Sequence, residues 1–177
     1  MTGCQALRIA GSIGLFCLRH AVAMALTIAI PCLLWTVAYL GLLLYATVAG
    51  GGPGGPLAYP VGLLLILVTA TAACLFLLFP STALAEWIGR RRSLPILAQI
   101  PISIGILAIL SLLFTLILDQ RFPQAFPLAP GQKLNPSITA TALFCAHLLP
   151  LGFYWWVAQS IPLLSALFSR LIALFRT

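Results

Sequence analysis

The sequence predicts an all-α polytopic membrane protein, a four-span antiparallel transmembrane helical bundle with a short C-terminal amphipathic helix. Of its 177 residues, 62% are hydrophobic and only 6% are charged, whereas about a quarter of the residues of an ordinary soluble domain are charged. Long stretches carry no charge at all. This composition excludes a disordered chain, a disulfide-stabilised secreted domain and a water-soluble enzyme. We expect residues 1–177 to form a single integral membrane domain.

The first three spans follow from the positions of charges and helix-breaking residues. A helix rises about 1.5 Å per residue, so a hydrocarbon core of about 30 Å requires about 20 apolar residues. No charged residue lies between His20 and Ala85, but the cluster from Gly50 to Pro56 interrupts this stretch. Gly and Pro in such density would break a helix. The predicted spans are therefore 21–48, 57–84 and, after the next charges, 94–118.

The last uncharged stretch, from Leu134 to Ser169, is too long for one perpendicular crossing. It contains Gln159, Ser160 and then Pro162, where a helix is expected to bend or restart. We therefore predict a fourth span at 136–158 and a separate helix at 161–175. The latter has apolar residues at three- and four-residue spacing, which is typical of a helix lying along the membrane surface. Residues 119–135 form the predicted outer loop.

Basic residues predict the orientation, because positively charged loops tend to remain on the cytoplasmic side. Seven of the nine basic residues lie on one predicted side and two on the other. The first group is Arg8, Arg19, Arg90, Arg91, Arg92, Arg170 and Arg176, and the second is Arg121 and Lys133. Both termini are therefore predicted to be cytoplasmic. Eight Arg against one Lys, with abundant Ala, Leu and Gly, favours a GC-rich bacterial genome and hence a bacterial inner membrane.

The expected partners are the lipid bilayer and either other membrane subunits or further copies of this chain. Residues Arg90, Arg91, Arg92, Arg170 and Arg176 are candidate contacts for lipid headgroups or for a partner. The net charge of +7 is explained by basic residues at the anionic inner leaflet. We expect no nucleic-acid binding, since that would require a folded basic surface.

Within span four, His147, Thr141 and Tyr154 form a candidate intramembrane polar site. His147 is either a metal or haem ligand or proton carrier, or a side chain hydrogen-bonded to a neighbouring helix. Bis-histidine haem would need a second histidine at the same depth, and His20 is predicted at the boundary of span one. Cys145 could join a soft-metal site, but it lies two residues, about 200° of helical rotation, from His147. We expect no metal and no cofactor.

The carboxylates argue against an active site. Glu86 and Asp119 both fall at predicted span ends, where neither can orient a catalytic base or bind a metal at mid-depth. No glycine-rich phosphate loop is present, because the Gly50–Gly55 cluster lacks both a following Lys and a preceding strand. We predict no catalytic residues.

Small residues recur every four positions on three predicted spans, as stripes along one side of each helix. They are Ala21, Ala25 and Ala29 on span one, Thr69 with Ala73 and Ala70 with Cys74 on span two, and Ser137, Thr141 and Cys145 on span four. Small residues allow transmembrane helices to approach closely. The stripes therefore either hold the four spans together or dock another subunit.

These observations predict a non-enzymatic integral membrane protein that acts as a subunit, anchor or sensor of a larger membrane complex. The alternative is a small homo-oligomeric transporter or pore, in which His147 and the Thr and Ser faces line a shared passage. A third possibility is a membrane enzyme whose catalytic residues are completed by a partner chain.

Overall fold

A computed structural model describes the backbone of residues 3–50, 57–121 and 135–174, and the side chains of 11–50, 57–121 and 135–160. These residues form long helices and contain no strand. The predicted all-α fold class is confirmed. The cluster from Gly51 to Pro56 and residues 122–134, which make up most of the predicted outer loop, lie outside the described residues.

The first helix, α1, runs from Gly3 to Ala49 and has 47 residues, which corresponds to about 70 Å. It begins well before the predicted span 21–48, because the preceding segment continues the same helix. Gly50 ends α1 with a φ of 68°, a left-handed conformation that favours glycine, and its amide donates to Ala46 O over 3.0 Å. The predicted turn after span one therefore begins where the sequence places it.

The second long helix has three consecutive parts. They are α2 at Ala58–Ala73, a π-helical turn at Cys74–Leu78, and α3 at Phe79–Arg91. Pro80, near the start of α3, has no amide hydrogen, and its ring crowds the carbonyl four residues back, which disturbs the α-helical pattern. The helix extends to Arg91, seven residues beyond the predicted end of span two at Leu84.

A short linker joins α3 to α4. Ser93 adopts a left-handed conformation with a φ of 50°, and Leu94 N donates to Gly89 O over 2.9 Å, which satisfies a carbonyl of the last turn of α3. After a 3-10 turn at Ile96–Ala98, α4 runs from Gln99 to Arg121. The predicted span 94–118 therefore begins and ends a few residues early.

The last helix, α5, runs from Pro136 to Leu174 without interruption. Asn135 caps it by accepting a hydrogen bond from Ser137 N over 3.1 Å. The sequence predicted a break between 158 and 161, but the backbone remains helical there, because one proline removes a single amide donor and a long helix can absorb that loss. Residues 161–174 are helical as an extension of α5, and their placement along the membrane surface stays a prediction.

Four helices in the described part of the chain are long and apolar enough to cross a membrane. They are Gly11–Ala49, Ala58–Arg91, Ile96–Arg121 and Pro136–Ser160. Their exposed surfaces are largely aliphatic, which suits lipid and not water. The chain is therefore a multi-pass membrane protein whose helices contact the lipid bilayer.

The described residues divide into two compact units. One contains those up to Cys74 and from Tyr154 onward, and in it α1 packs against α2. The other contains the described residues from Leu75 to Phe153, and in it α3 packs against α4. That residues 1–177 act as one membrane domain stays a prediction.

Candidate functional site

The described residues of the first unit bury a polar cluster formed by Arg19 and His20 of α1 and Tyr154 of α5. Their relative exposures are 5%, 4% and 0%. The cluster lies within apolar helices, because α1 is a candidate span from Gly11 and α5 up to Ser160. Burying an ionisable side chain in such a segment is costly, so such residues usually have specific polar contacts and a function.

His20 and Tyr154 are joined by hydrogen bonding and by ring packing. His20 Nδ1 lies 3.1 Å from the Tyr154 hydroxyl, and that hydroxyl lies 3.4 Å from His20 O, to which it can donate. The two rings are stacked with centroids 5.8 Å apart. This contact links residues that are 134 positions apart in the sequence, and it attaches α1 to α5.

Phe16, one helical turn before His20, extends the cluster along α1. Its ring centroid lies 4.4 Å from that of His20, and the Arg19 guanidinium carbon lies 4.9 Å from the centre of the Phe16 ring. A guanidinium over an aromatic face gains cation–π stabilisation that is larger where water is excluded. The Phe16 ring therefore offsets part of the cost of burying the Arg19 charge.

The three residues of the predicted intramembrane polar site are not brought together as one contact. His147 is half-buried, and its Nδ1 lies 2.7 Å from Leu143 O, so this nitrogen donates to the preceding turn of α5. Thr141 is exposed and donates to Ser137 O over 2.8 Å. The two lie six residues apart, about 240° around the helix, and Tyr154 contacts His20. A shared function of the three stays a prediction.

The predicted arginine contacts differ from one another. Arg90 donates through Nε to Glu86 Oε1 over 3.1 Å, and its Nη2 contacts the same oxygen. Arg91 lies over the Trp87 ring, 4.4 Å from its centre. Arg92 is exposed at the end of α3. The side chains of Arg170 and Arg176 lie outside the described residues.

Sequence reasoning missed a polar stripe on α4. Its buried residues recur every fourth position and are Gln99, Ser103, Leu107, Ser111 and Thr115. They lie in the α3–α4 hairpin, where α3 buries Ser81, Thr82 and Glu86. Polar residues at a spacing of four or eight in a helix otherwise rich in Leu and Ile were a detectable sign of a helix interface. The burial of Arg19 and His20 was also missed.

Of the small residues that recur on the second predicted span, Thr69 is exposed, Ala70 and Ala73 are half-buried and Cys74 is buried. The other two sets are exposed. We call them the α1 stripe, formed by Ala21, Ala25 and Ala29, and the α5 stripe, formed by Ser137, Thr141 and Cys145. Within the described residues, neither stripe is therefore a close helix contact.

The chain was compared with protein-family models, curated proteins and solved structures, and none of them matches.

Proposed function

We propose that this chain is a non-enzymatic subunit, anchor or sensor of a larger membrane complex. The observation that carries the proposal is the exposure of the α1 stripe and the α5 stripe. In lipid there is no hydrophobic drive for helices to associate, so association depends on close packing, which small residues permit. A stripe of small residues with no helix packed on it within the described part of the chain suits a partner helix.

The α5 stripe is chemically suited to burial against another helix. The Thr141 hydroxyl already donates to Ser137 O, so covering it leaves no donor without a partner. Gly152 extends the same face, since it lies about 60° from Ser137 around the helix. It is exposed, and no atom lies within 4 Å of a Cβ built on it.

The complex is tested by purifying the chain with a tag after Thr177 in mild detergent and measuring the native mass of the eluted species. We expect a stable heteromer that is lost in Cys145→Leu, because a larger side chain prevents close approach to the α5 stripe. Ala146→Leu is the matched control, since Ala146 is also exposed but lies about 100° from Cys145 and 180° from Ser137. This control should retain the heteromer.

Recovery of a monomer alone would overturn the proposal. A discrete homo-oligomer would instead favour the alternative, a small transporter or pore lined by His147 and hydroxyl groups. That alternative predicts that the purified protein in liposomes allows a solute to cross the membrane. It also predicts that His147→Ala changes the rate of this flux.

The proposed location is a bacterial inner membrane with both termini in the cytoplasm. The support is the Arg90–Arg92 cluster at the end of α3, next to the end of a candidate span at Arg91, since basic residues favour the cytoplasmic side. Fusions after Thr177 test this orientation. We expect green fluorescent protein to fluoresce there and alkaline phosphatase to be inactive, and the reverse pattern would contradict the orientation.

A further inference from the structure

The hydroxyl of Ser111 on α4 is an exception among the buried hydroxyls of the α3–α4 hairpin. Ser81, Thr82, Ser103 and Thr115 each donate to a main-chain carbonyl of the same helical segment, over 2.5 to 3.0 Å. Ser111 is 0% exposed, and its Oγ has no hydrogen-bond partner within the described residues. A buried hydroxyl without a partner carries a large desolvation penalty.

The level of Ser111 in the hairpin follows from the contact that fixes the register of the two helices. A Cβ built on Gly89 of α3 would lie 2.7 Å from the side chain of Gln99, so these residues face each other near the linker. Ser111 is 12 residues after Gln99, and Leu77 is 12 residues before Gly89. Because the helices run in opposite directions, Ser111 is level with Leu77.

At that level the facing helix departs from α-helical geometry. Leu77 and Leu78 belong to the π-helical turn, and both are buried. A π turn is wider than an α turn, and Pro80 supplies no amide hydrogen to the carbonyls four or five residues before it. A donor without an acceptor and a turn short of one donor therefore lie at the same depth.

We propose that one internal water molecule binds between the Ser111 hydroxyl and the Phe76 carbonyl of the widened turn, beside the buried side chains of Leu77 and Leu78. Water both donates and accepts, and buried water typically makes about three hydrogen bonds to groups that the protein leaves unsatisfied. A neutral ligand fits the hairpin, because the described charged residues nearest along its two helices are Glu86, nine residues from Leu77, and Asp119, eight residues from Ser111, about 12–14 Å away along the helices. The water satisfies Ser111 and stabilises the π turn.

Radiolytic footprinting of the full chain in lipid nanodiscs tests the site, because hydroxyl radicals formed from a bound water oxidise the side chains beside it. Leu77 and Leu78 should be oxidised in the wild type although they are only 3% and 1% exposed. Their oxidation should fall several-fold in Ser111→Ala. Ser103→Ala is the matched control, since Ser103 is equally buried but donates to Ile100 O, and it should leave the oxidation unchanged.

Thermal unfolding supplies a second readout. The change in unfolding temperature caused by Ser111→Ala has opposite signs depending on whether the site holds a water molecule or is dry. Removing a hydroxyl that is satisfied by water lowers the unfolding temperature, whereas removing a dry unsatisfied hydroxyl raises it. We expect Ser111→Ala to unfold at a lower temperature than the wild type. Absence of oxidation at Leu77 and Leu78 in the wild type, or a higher unfolding temperature in Ser111→Ala, would overturn the proposal. The wild-type measurement decides the matter even where the variant does not fold.

Discussion

Tyr154→Phe is expected to lower the free energy of unfolding by about 1–3 kcal/mol, because it removes one partner of a buried hydrogen bond. The Tyr154 hydroxyl is fully buried and contacts both Nδ1 and the carbonyl of His20. Phenylalanine keeps the ring and its packing, so the change isolates the hydroxyl. His20 is 4% exposed, and water cannot readily replace the lost contact.

Chemical or thermal unfolding in detergent, followed by circular dichroism, measures this loss. Tyr45→Phe is the matched control, because Tyr45 is 70% exposed on α1. Removing its hydroxyl therefore leaves no buried group without a hydrogen-bond partner. We expect Tyr45→Phe to unfold within about 0.5 kcal/mol of the wild type, as surface substitutions usually do. Equal stability of wild type and Tyr154→Phe would contradict the structural role of the cluster.

A double-mutant cycle assigns the effect to the pair. We combine Tyr154→Phe with His20→Leu and expect a coupling free energy of about 0.5–3 kcal/mol, the range found for residues in contact. Strictly additive effects would show that the two side chains act independently. The cycle removes contributions that each side chain makes elsewhere, provided that neither variant forms new contacts.

The number of membrane-spanning helices, but not their ends, could be predicted from the sequence. Charge-free stretches and the Gly50–Pro56 cluster identify segments that suit lipid, and the four spanning-length helices follow from them. Hydropathy, however, reports where a helix can meet lipid and not where its hydrogen bonding stops. The helix α1 therefore extends back to Gly3, and α5 passes Pro162 to Leu174, beyond the limits that composition indicated.

The candidate site was harder to predict, because burial depends on contacts between distant parts of the chain. His20 follows Arg19 at the edge of a charge-free stretch, which in the sequence resembles a membrane boundary. Its contact with Tyr154 spans 134 positions, and no local pattern encodes it. The polar stripe on α4 differs, since its four-residue spacing is local and was available in the sequence.

Gly62→Ala is expected to destabilise the α1–α2 pair, although alanine is the better helix former by about 1 kcal/mol. A Cβ on Gly62 would lie 2.3 Å from Cζ2 and 2.6 Å from Cε2 of Trp35, which is far inside van der Waals contact. The indole ring is rigid, so relieving this overlap requires the whole Trp35 side chain to move. Overpacking of this kind typically costs about 1–3 kcal/mol, so the steric term outweighs the propensity gain.

Displacing the indole also affects its polar contacts. Trp35 Nε1 donates to Tyr59 O over 3.3 Å, the Tyr59 hydroxyl lies 3.0 Å from Thr36 Oγ1, and the Tyr39 and Tyr59 rings are 5.0 Å apart. These contacts join α1 to the start of α2. A shift of Trp35 weakens its hydrogen bond to Tyr59 O and disturbs the packing of the Tyr39 and Tyr59 rings. The loss of stability should therefore be spread over the whole contact between α1 and α2.

Two other helical glycines provide matched controls, because no atom lies within 4 Å of a Cβ built on Gly41 or Gly105. At these positions alanine gains helix propensity without a clash, so we expect each variant to be as stable as the wild type or up to about 1 kcal/mol more stable. Unfolding in detergent compares the three variants. The double variant that combines Gly62→Ala with Trp35→Phe, in which a smaller ring replaces the indole, should recover part of the stability lost in Gly62→Ala. Gly62→Ala as stable as Gly41→Ala would show that Gly62 and Trp35 do not approach so closely.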